Sequence, residues 1–214
     1  AMTGLYLSNE EVAATDGHRL ARVGTDWYTG DTTTIIPKGA VALLQRHTTA
    51  SSDVRLEVHD SHVTMHVDGI TIIARLIDET YPNYNAVIPN ENDRVLEVNR
   101  TDLLGAVKRV GLYASDMTPQ IRLKIGRTQL TLQGTDRDRN SDAEEVVPCE
   151  YDSDPMKIGF NYSYLQEVLE VLPTERVRFT LGQPNRAALV TPVGAAGGLE
   201  TTLLLMPVML NSYA

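Results

Sequence analysis

The chain has 214 residues, 42% of them hydrophobic, enough to bury a substantial core in one large or two small domains. Lys plus Arg number 19 against 28 Asp plus Glu, and the formal charge of -9 excludes a protein that coats nucleic acid with its whole surface, though not one with a local basic strip. One cysteine, Cys149, excludes an internal disulfide and a multi-cysteine zinc site; no apolar run approaches the roughly 20 residues of a membrane span, and the N-terminus lacks a signal-peptide pattern, so a soluble protein of a reducing cytosol is expected.

In chain order, Leu5–Leu7, Val12–Ala14 and Leu20–Val23 read as three short strands, the last two joined at Asp16-Gly17, a turn signal. Ile35-Ile36 is a fourth strand, and Pro37 suits the first turn of a helix over Lys38–His47, with Val41 and Leu44 on its apolar stripe. A repeat then emerges. Val54–Val58, Ile121–Ile125 and Val177–Leu181 are one alternating strand written three times, each with Arg second. Each follows a helix (Lys38–His47, Thr101–Leu112, Ser163–Leu172), and a short strand precedes each helix (Ile35-Ile36, Val95–Val98, Met156–Ile158). The third helix is expected to start on a Ser163-to-Gln166 capping box. Two further strands follow each Arg strand: Val63–Val67 and Ile70–Ile77, Leu130–Gln133 and Glu144–Cys149, Ala188–Val190 and Thr201–Met206. The unit is β-α-β-β-β with a period of roughly sixty residues.

Val12–Asp16 aligns with Leu132–Asp136, so the N-terminal strands match only the back of a unit whose opening strand and helix are absent. Unpaired strand edges should result, and a partner segment, or a disordered or rearranged start, is expected. Taken in pairs, the units predict an α+β fold with helices on one face of antiparallel sheets, an incomplete domain over 1–89 and a complete one over 90–214, split at the polar linker Pro89–Asp93.

The last apolar run, Leu203–Leu210, is either a buried terminal strand or one wall of a hydrophobic groove. Pro207 cannot donate to a ladder, so regular pairing should end there and Val208–Leu210 should lie over the surface. Thr15–Leu20 is the densest group of reactive side chains, but no nucleophile motif accompanies His18 and Asp16, and one His with one Asp is too few ligands for a metal; a catalytic role is not expected. Asp136–Asn140 begins like a calcium loop and fails it, with Ser141 in place of the glycine and Val147 in place of the glutamate. No glycine loop cradles a phosphate, and no cofactor or metal is expected. Pro82–Pro89 is either a connector with a core-packing Tyr84 or a groove wall. Lys38 and Arg46 on the first helix, and Arg100, Lys108 and Arg109 on or beside the second, would place positive charge on helix faces, enough to attract phosphates without reading sequence.

Ala14–Ala21, Ile36-Pro37-Lys38, Leu76-Ile77-Asp78 through Tyr81–Tyr84, Ile158–Asn161 with Tyr164-Leu165, and Met206-Pro207 together resemble the bacterial DNA polymerase sliding clamp, the beta subunit of the replicative polymerase. They keep the family's order over nearly the whole chain. The resemblance implies a DNA clamp fold, helices lining a ring around duplex DNA, and a non-catalytic processivity factor in the bacterial cytoplasm, with the nucleoid. It implies that the polymerase catalytic subunit, the clamp loader, and other polymerases and repair proteins dock through a short peptide with Gln and Leu/Phe anchors. The peptide pocket would take Thr15, Gly17, His18, Arg19, Leu20, Pro82 and Val87, with Leu204, Leu205, Met206, Pro207, Val208, Met209 and Leu210 from the last domain. Ala86 and Met209 stand where many relatives carry basic residues, implying fewer polar contacts. Lys38, Arg46, Arg100, Lys108 and Arg109 would face DNA, and Leu112 and Tyr113 would meet another subunit of a homo-oligomeric ring. The family has three domains, so the chain is expected to lack the first domain and the front of the second. A short clamp homologue that binds clamp partners without encircling DNA is the alternative, and a small metal-dependent hydrolase on Asp16 and His18 is the third reading.

Overall fold

A computed structural model describes residues 1–30, 32–49, 51–115, 117–194 and 199–210. It contains two compact units, Ala1–Tyr84 and Asn85–Ala214. The division falls ahead of the expected linker because Tyr84 is tied into the first unit. Its ring is buried, it stacks edge-on with Tyr6 and Tyr81, and its hydroxyl donates to the Glu11 carboxylate. Burial, reinforced by that carboxylate, holds the Tyr84 hydroxyl far above its ordinary pKa, so it stays a donor.

The first unit runs β1 (Gly4–Leu7), β2 (Glu11–Thr15), β3 (Arg19–Gly24), β4 (Thr34–Pro37), α1 (Lys38–His47), β5 (Val54–Val58), β6 (His62–Val67) and β7 (Ile70–Arg75). Its strands form two antiparallel groups, ordered β3-β2-β1-β4 and β5-β6-β7. Leu7, Ile36, Ala40, Val63, Met65 and Ile72 make the core that joins α1 to both groups. Asp68 and Gly69, at φ 47° and 80°, turn β6 into β7; two positive φ values suit the right-handed twist of a tight hairpin. Pro37 ends β4 and stands as the N-cap of α1, one position before the first turn, where its missing N–H removes nothing from the helix ladder.

The second unit runs β8 (Arg94–Asn99), α2 (Arg100–Gly111), β9 (Gln120–Ile125), β10 (Gln129–Asp136), β11 (Ser141–Tyr151), β12 (Met156–Asn161), α3 (Tyr162–Val171), β13 (Arg176–Leu181), β14 (Ala188–Val193) and β15 (Thr201–Leu205). The hydrogen-bonded order is β12-β9-β10-β11-β8-β13-β14-β15, antiparallel throughout. The long β11 pairs with β10 through Pro148 and with β8 from Cys149 onward, so one strand links the two halves. The opening strand of each β-α-β-β-β repeat is exchanged: β8 pairs with β13 of the second repeat, and β12 with β9 of the first. Helices α2 and α3 pack together, and a Cβ on Gly111 would lie 2.5 Å from the Tyr162 ring, so only glycine permits this approach.

The expected capping box of α3 is not used. Asn161 ends β12 and caps the helix, its Oδ1 accepting from the N–H groups of Ser163 (3.0 Å) and Tyr164 (3.4 Å). The helix therefore starts one residue earlier, because an Asn at a strand end reaches the orphan N–H groups before Ser163 can. Asn99 does the same for α2, accepting from Asp102 N–H at 3.0 Å.

Candidate functional site

The terminal apolar run divides at Pro207. Leu203, Leu204 and Leu205 lie in β15 opposite Val190, Leu189 and Ala188, and all three are buried. Beyond them pairing with β14 ends, Met206 is partly open and Met209 is 76% exposed. Val208 then pairs with β12: its N–H donates to the Gly159 carbonyl at 2.9 Å. Gly159 is what allows the tail to lie there. A Cβ on it would sit 2.8 Å from Leu210 Cδ2 and 2.9 Å from the Val208 carbonyl oxygen, inside contact distance of a backbone atom. Met206 to Leu210 thus form an apolar strip laid on the edge of β12, the outermost strand of its sheet. Leu204 and Leu205, expected in the peptide pocket, have their side chains packed in the core. Gly159 was not among the expected residues of the strip, although a glycine inside an apolar strand signals close approach of another backbone.

In the first unit the Thr15–Leu20 segment is the β2–β3 hairpin. Asp16 Oδ1 accepts from the N–H groups of His18 (2.9 Å) and Arg19 (3.0 Å), its Oδ2 accepts from Arg19 Nε (3.0 Å), and Gly17 has φ +86°. Thr15 Oγ1 donates to the Arg19 carbonyl at 2.8 Å. Asp16 is spent on building the turn, which leaves Gly17 and His18 exposed at its tip. Asp136, its counterpart in the repeat, makes the same turn with the N–H groups of Asp138 and Arg139. Leu20 is buried beneath the hairpin. Pro82 and Val87 are both exposed, in the first and second units respectively. Partial burial raises the Asp16 carboxyl, but the His18 and Arg19 N–H groups and the Arg19 guanidinium outweigh it and hold the group below its ordinary 3.8. A depressed carboxylate stabilises the fold above its unfolded pKa and loses that contribution as pH falls through the lower, folded value. The amide resonances of His18 and Arg19 are therefore expected to stay in their folded positions through neutral and mildly acidic pH and to move only below 3.8, as an NMR pH titration would read.

The cations expected to face DNA are not equivalent. Lys38 and Arg46 are exposed on α1, with no ion pair among the described residues. On α2, Lys108 lies 2.7 Å from Glu170 of α3, and Arg109 makes a forked contact with Glu145 of β11, its Nε 3.0 Å from Oε2. Both carboxyls are pulled below their usual range, each chiefly by the hydrogen bond from its cation. Both pairs lie in water, which screens their attraction. Arg100 is engaged within the unit: its Nε donates to the Thr174 carbonyl (2.7 Å) and its Nη1 to that of Leu169 (3.2 Å), at the end of α3 where carbonyls lack helical partners. Leu112 and Tyr113 follow α2 on an open turn, 76% and 42% exposed, with Met117 beyond them at 88%. No described helix is long and apolar enough to cross a membrane.

Comparisons with known proteins agree with this geometry over nearly the whole chain. Residues 1–83 match the family described as DNA polymerase III beta subunit, central domain, and residues 85–208 its C-terminal domain. The beta sliding clamp of Pseudomonas aeruginosa is 33% identical over 181 residues, 83% of this chain and 49% of its own length. That of Synechococcus elongatus is 32% identical over 224 residues, 99% of this chain and 59% of its own. Among solved structures, the sliding clamp of Bartonella birtlesii bound to griselimycin superposes with a TM-score of 0.88 at 32% identity, covering 98% of this chain and 58% of that one. The chain spans about half the length of the curated relatives it matches. Two domains of one family, matched in order, show that this chain belongs to the DNA polymerase III beta subunit family, the bacterial sliding clamps.

Proposed function

We propose that the chain acts as a DNA sliding clamp, or as part of one: a non-catalytic processivity factor that tethers the replicative polymerase and repair proteins to duplex DNA in the bacterial cytoplasm. The observation that carries the reading is the apolar strip Met206–Leu210, held open on the β12 edge by Gly159. A short peptide with Leu or Phe anchors would bury them against these side chains, each worth roughly 1.5–3 kcal/mol, which suits partners that must exchange. The polymerase catalytic subunit, the clamp loader and other polymerases would share this strip through one linear motif.

Thr15, Gly17, His18, Arg19, Pro82 and Val87 are proposed contacts of the same class of peptide, each open to test by its own substitution. Lys38, Arg46, Lys108 and Arg109 would hold DNA by loose, salt-sensitive phosphate contacts, and Leu112 and Tyr113 would pack on another subunit of a ring. Titration of a fluorescent Gln-Leu-Phe peptide tests the strip. Removal of Met206 to Leu210 is expected to abolish saturable binding, and unchanged affinity would overturn the assignment. Encirclement has its own test: retention on closed circular DNA that is lost when the circle is cut.

A further inference from the structure

On the sheet face of the second unit turned away from α2 and α3 lies a small basic patch. Along β9 the side chains alternate: Ile121, Leu123 and Ile125 are buried in the core on the helix side, so Arg122 and Lys124 stand on the opposite face. Register puts Lys157 of β12 directly opposite Lys124, and Gly159 directly opposite Arg122. Two lysines facing each other across a strand pair repel. Among the described residues none of the three cations has an ion-pair partner. Arg122 is half-buried, and its Nε is shut off from solvent without an acceptor. Its neighbours explain why: Gly159 offers no side chain, and Gln133, across from Arg122 on β10, donates its amide to Glu144.

Position ties this patch to the apolar strip. Val208 bridges to Gly159 in the antiparallel sense, so the chain beyond it runs toward Lys157, and a Cβ on Gly159 would meet Leu210 Cδ2 at 2.8 Å on the face from which Arg122 projects. The apolar side chains therefore end beside three cations, on a protein whose formal charge is -9. On the reading of Met206–Leu210 as a peptide strip, we propose that Arg122, Lys124 and Lys157 are a second contact for the same peptide, holding a short run of Asp or Glu next to its apolar anchors. A part-buried guanidinium without an acceptor gains more from an incoming carboxylate than a solvated one, and its planar fork orients that carboxylate while the lysines act as point charges. The acidic run also relieves the repulsion between Lys124 and Lys157, and it separates partners that share the same Leu or Phe anchors. Continuity with the apolar strip, on the face opposite the helices, favours a peptide over a phosphate backbone.

The probes are three fluorescent synthetic peptides that share a Gln-Leu-Phe core: one with neutral flanks, one with Asp-Asp-Asp before the core and one with Asp-Asp-Asp after it. Against the full chain, one of the two acidic peptides is expected to bind roughly tenfold tighter than the neutral one at low salt, the combined effect of a few exposed charge pairs, and to lose that advantage at high salt. Lys124→Gln together with Lys157→Gln should bring the ratio of the two affinities toward one. Lys124→Glu together with Lys157→Glu should invert it, and a lysine-extended peptide should then be preferred. Equal gain from both ends would mean general attraction and would overturn the proposal, as would no gain or a ratio that the lysine variants leave unchanged. So would a single-stranded oligonucleotide that binds more tightly than the acidic peptide and is lost in the same variants, because the patch would then be a nucleic-acid site. If the neutral peptide binds and neither acidic one does better, the strip stands and only this proposal fails; if no peptide binds, both fall.

Discussion

Substituting Gly159 by Val is expected to weaken a Gln-Leu-Phe peptide roughly tenfold to a hundredfold, the equivalent of losing one buried apolar anchor. The cause is local. The new side chain would need the space held by the Val208 carbonyl oxygen and Leu210, so the tail must leave the β12 edge. Val is a good strand residue, and Gly159, register partner of Arg122 in β9, turns its carbonyl to the tail, so the pairing of β12 with β9 should survive. Hydrogen exchange should show lost protection at Val208, while Ile158 and Phe160 amides stay protected. If the tail is displaced and peptide affinity is unchanged, Met206–Leu210 is not the docking strip.

The second large effect is on stability and separates the two halves of the repeat. Phe179→Ala should destabilise the second unit by about 3–5 kcal/mol, because a fully buried aromatic leaves a cavity that the closed sheet cannot collapse into. Leu56→Ala, at the matching position of β5, should cost less than about 2 kcal/mol, since that side chain already meets water on its open side. Hydrogen exchange in each unit, with urea unfolding of the same variants, measures both. Equal costs would mean that Leu56 is packed as tightly as Phe179.

Much of this was legible from residue pattern. Alternation in Val54–Val58, Ile121–Ile125 and Val177–Leu181 marked the same strand three times, and the helical spacing over Lys38–His47 coincides with α1. Alignment of Asp16 with Asp136 anticipated two turns that share one hydrogen-bond scheme. The misses have physical causes. Ser163 and Gln166 made a plausible cap, but a strand ending in Asn161 satisfied the same N–H groups first. The sequence position of Arg100 likewise does not show that the carbonyls at the end of α3 lie within its reach.

Composition and periodicity by themselves determined the class of fold, the repeat and the point near Pro207 where pairing must stop, because these depend on local backbone preferences and on which residues seek burial. Only the tertiary structure decided which leucines of the terminal run are core, which cations are already paired, and that Gly159 receives the tail. Those outcomes depend on contacts between segments distant in the chain, and no local pattern encodes which strand edge a given segment will meet.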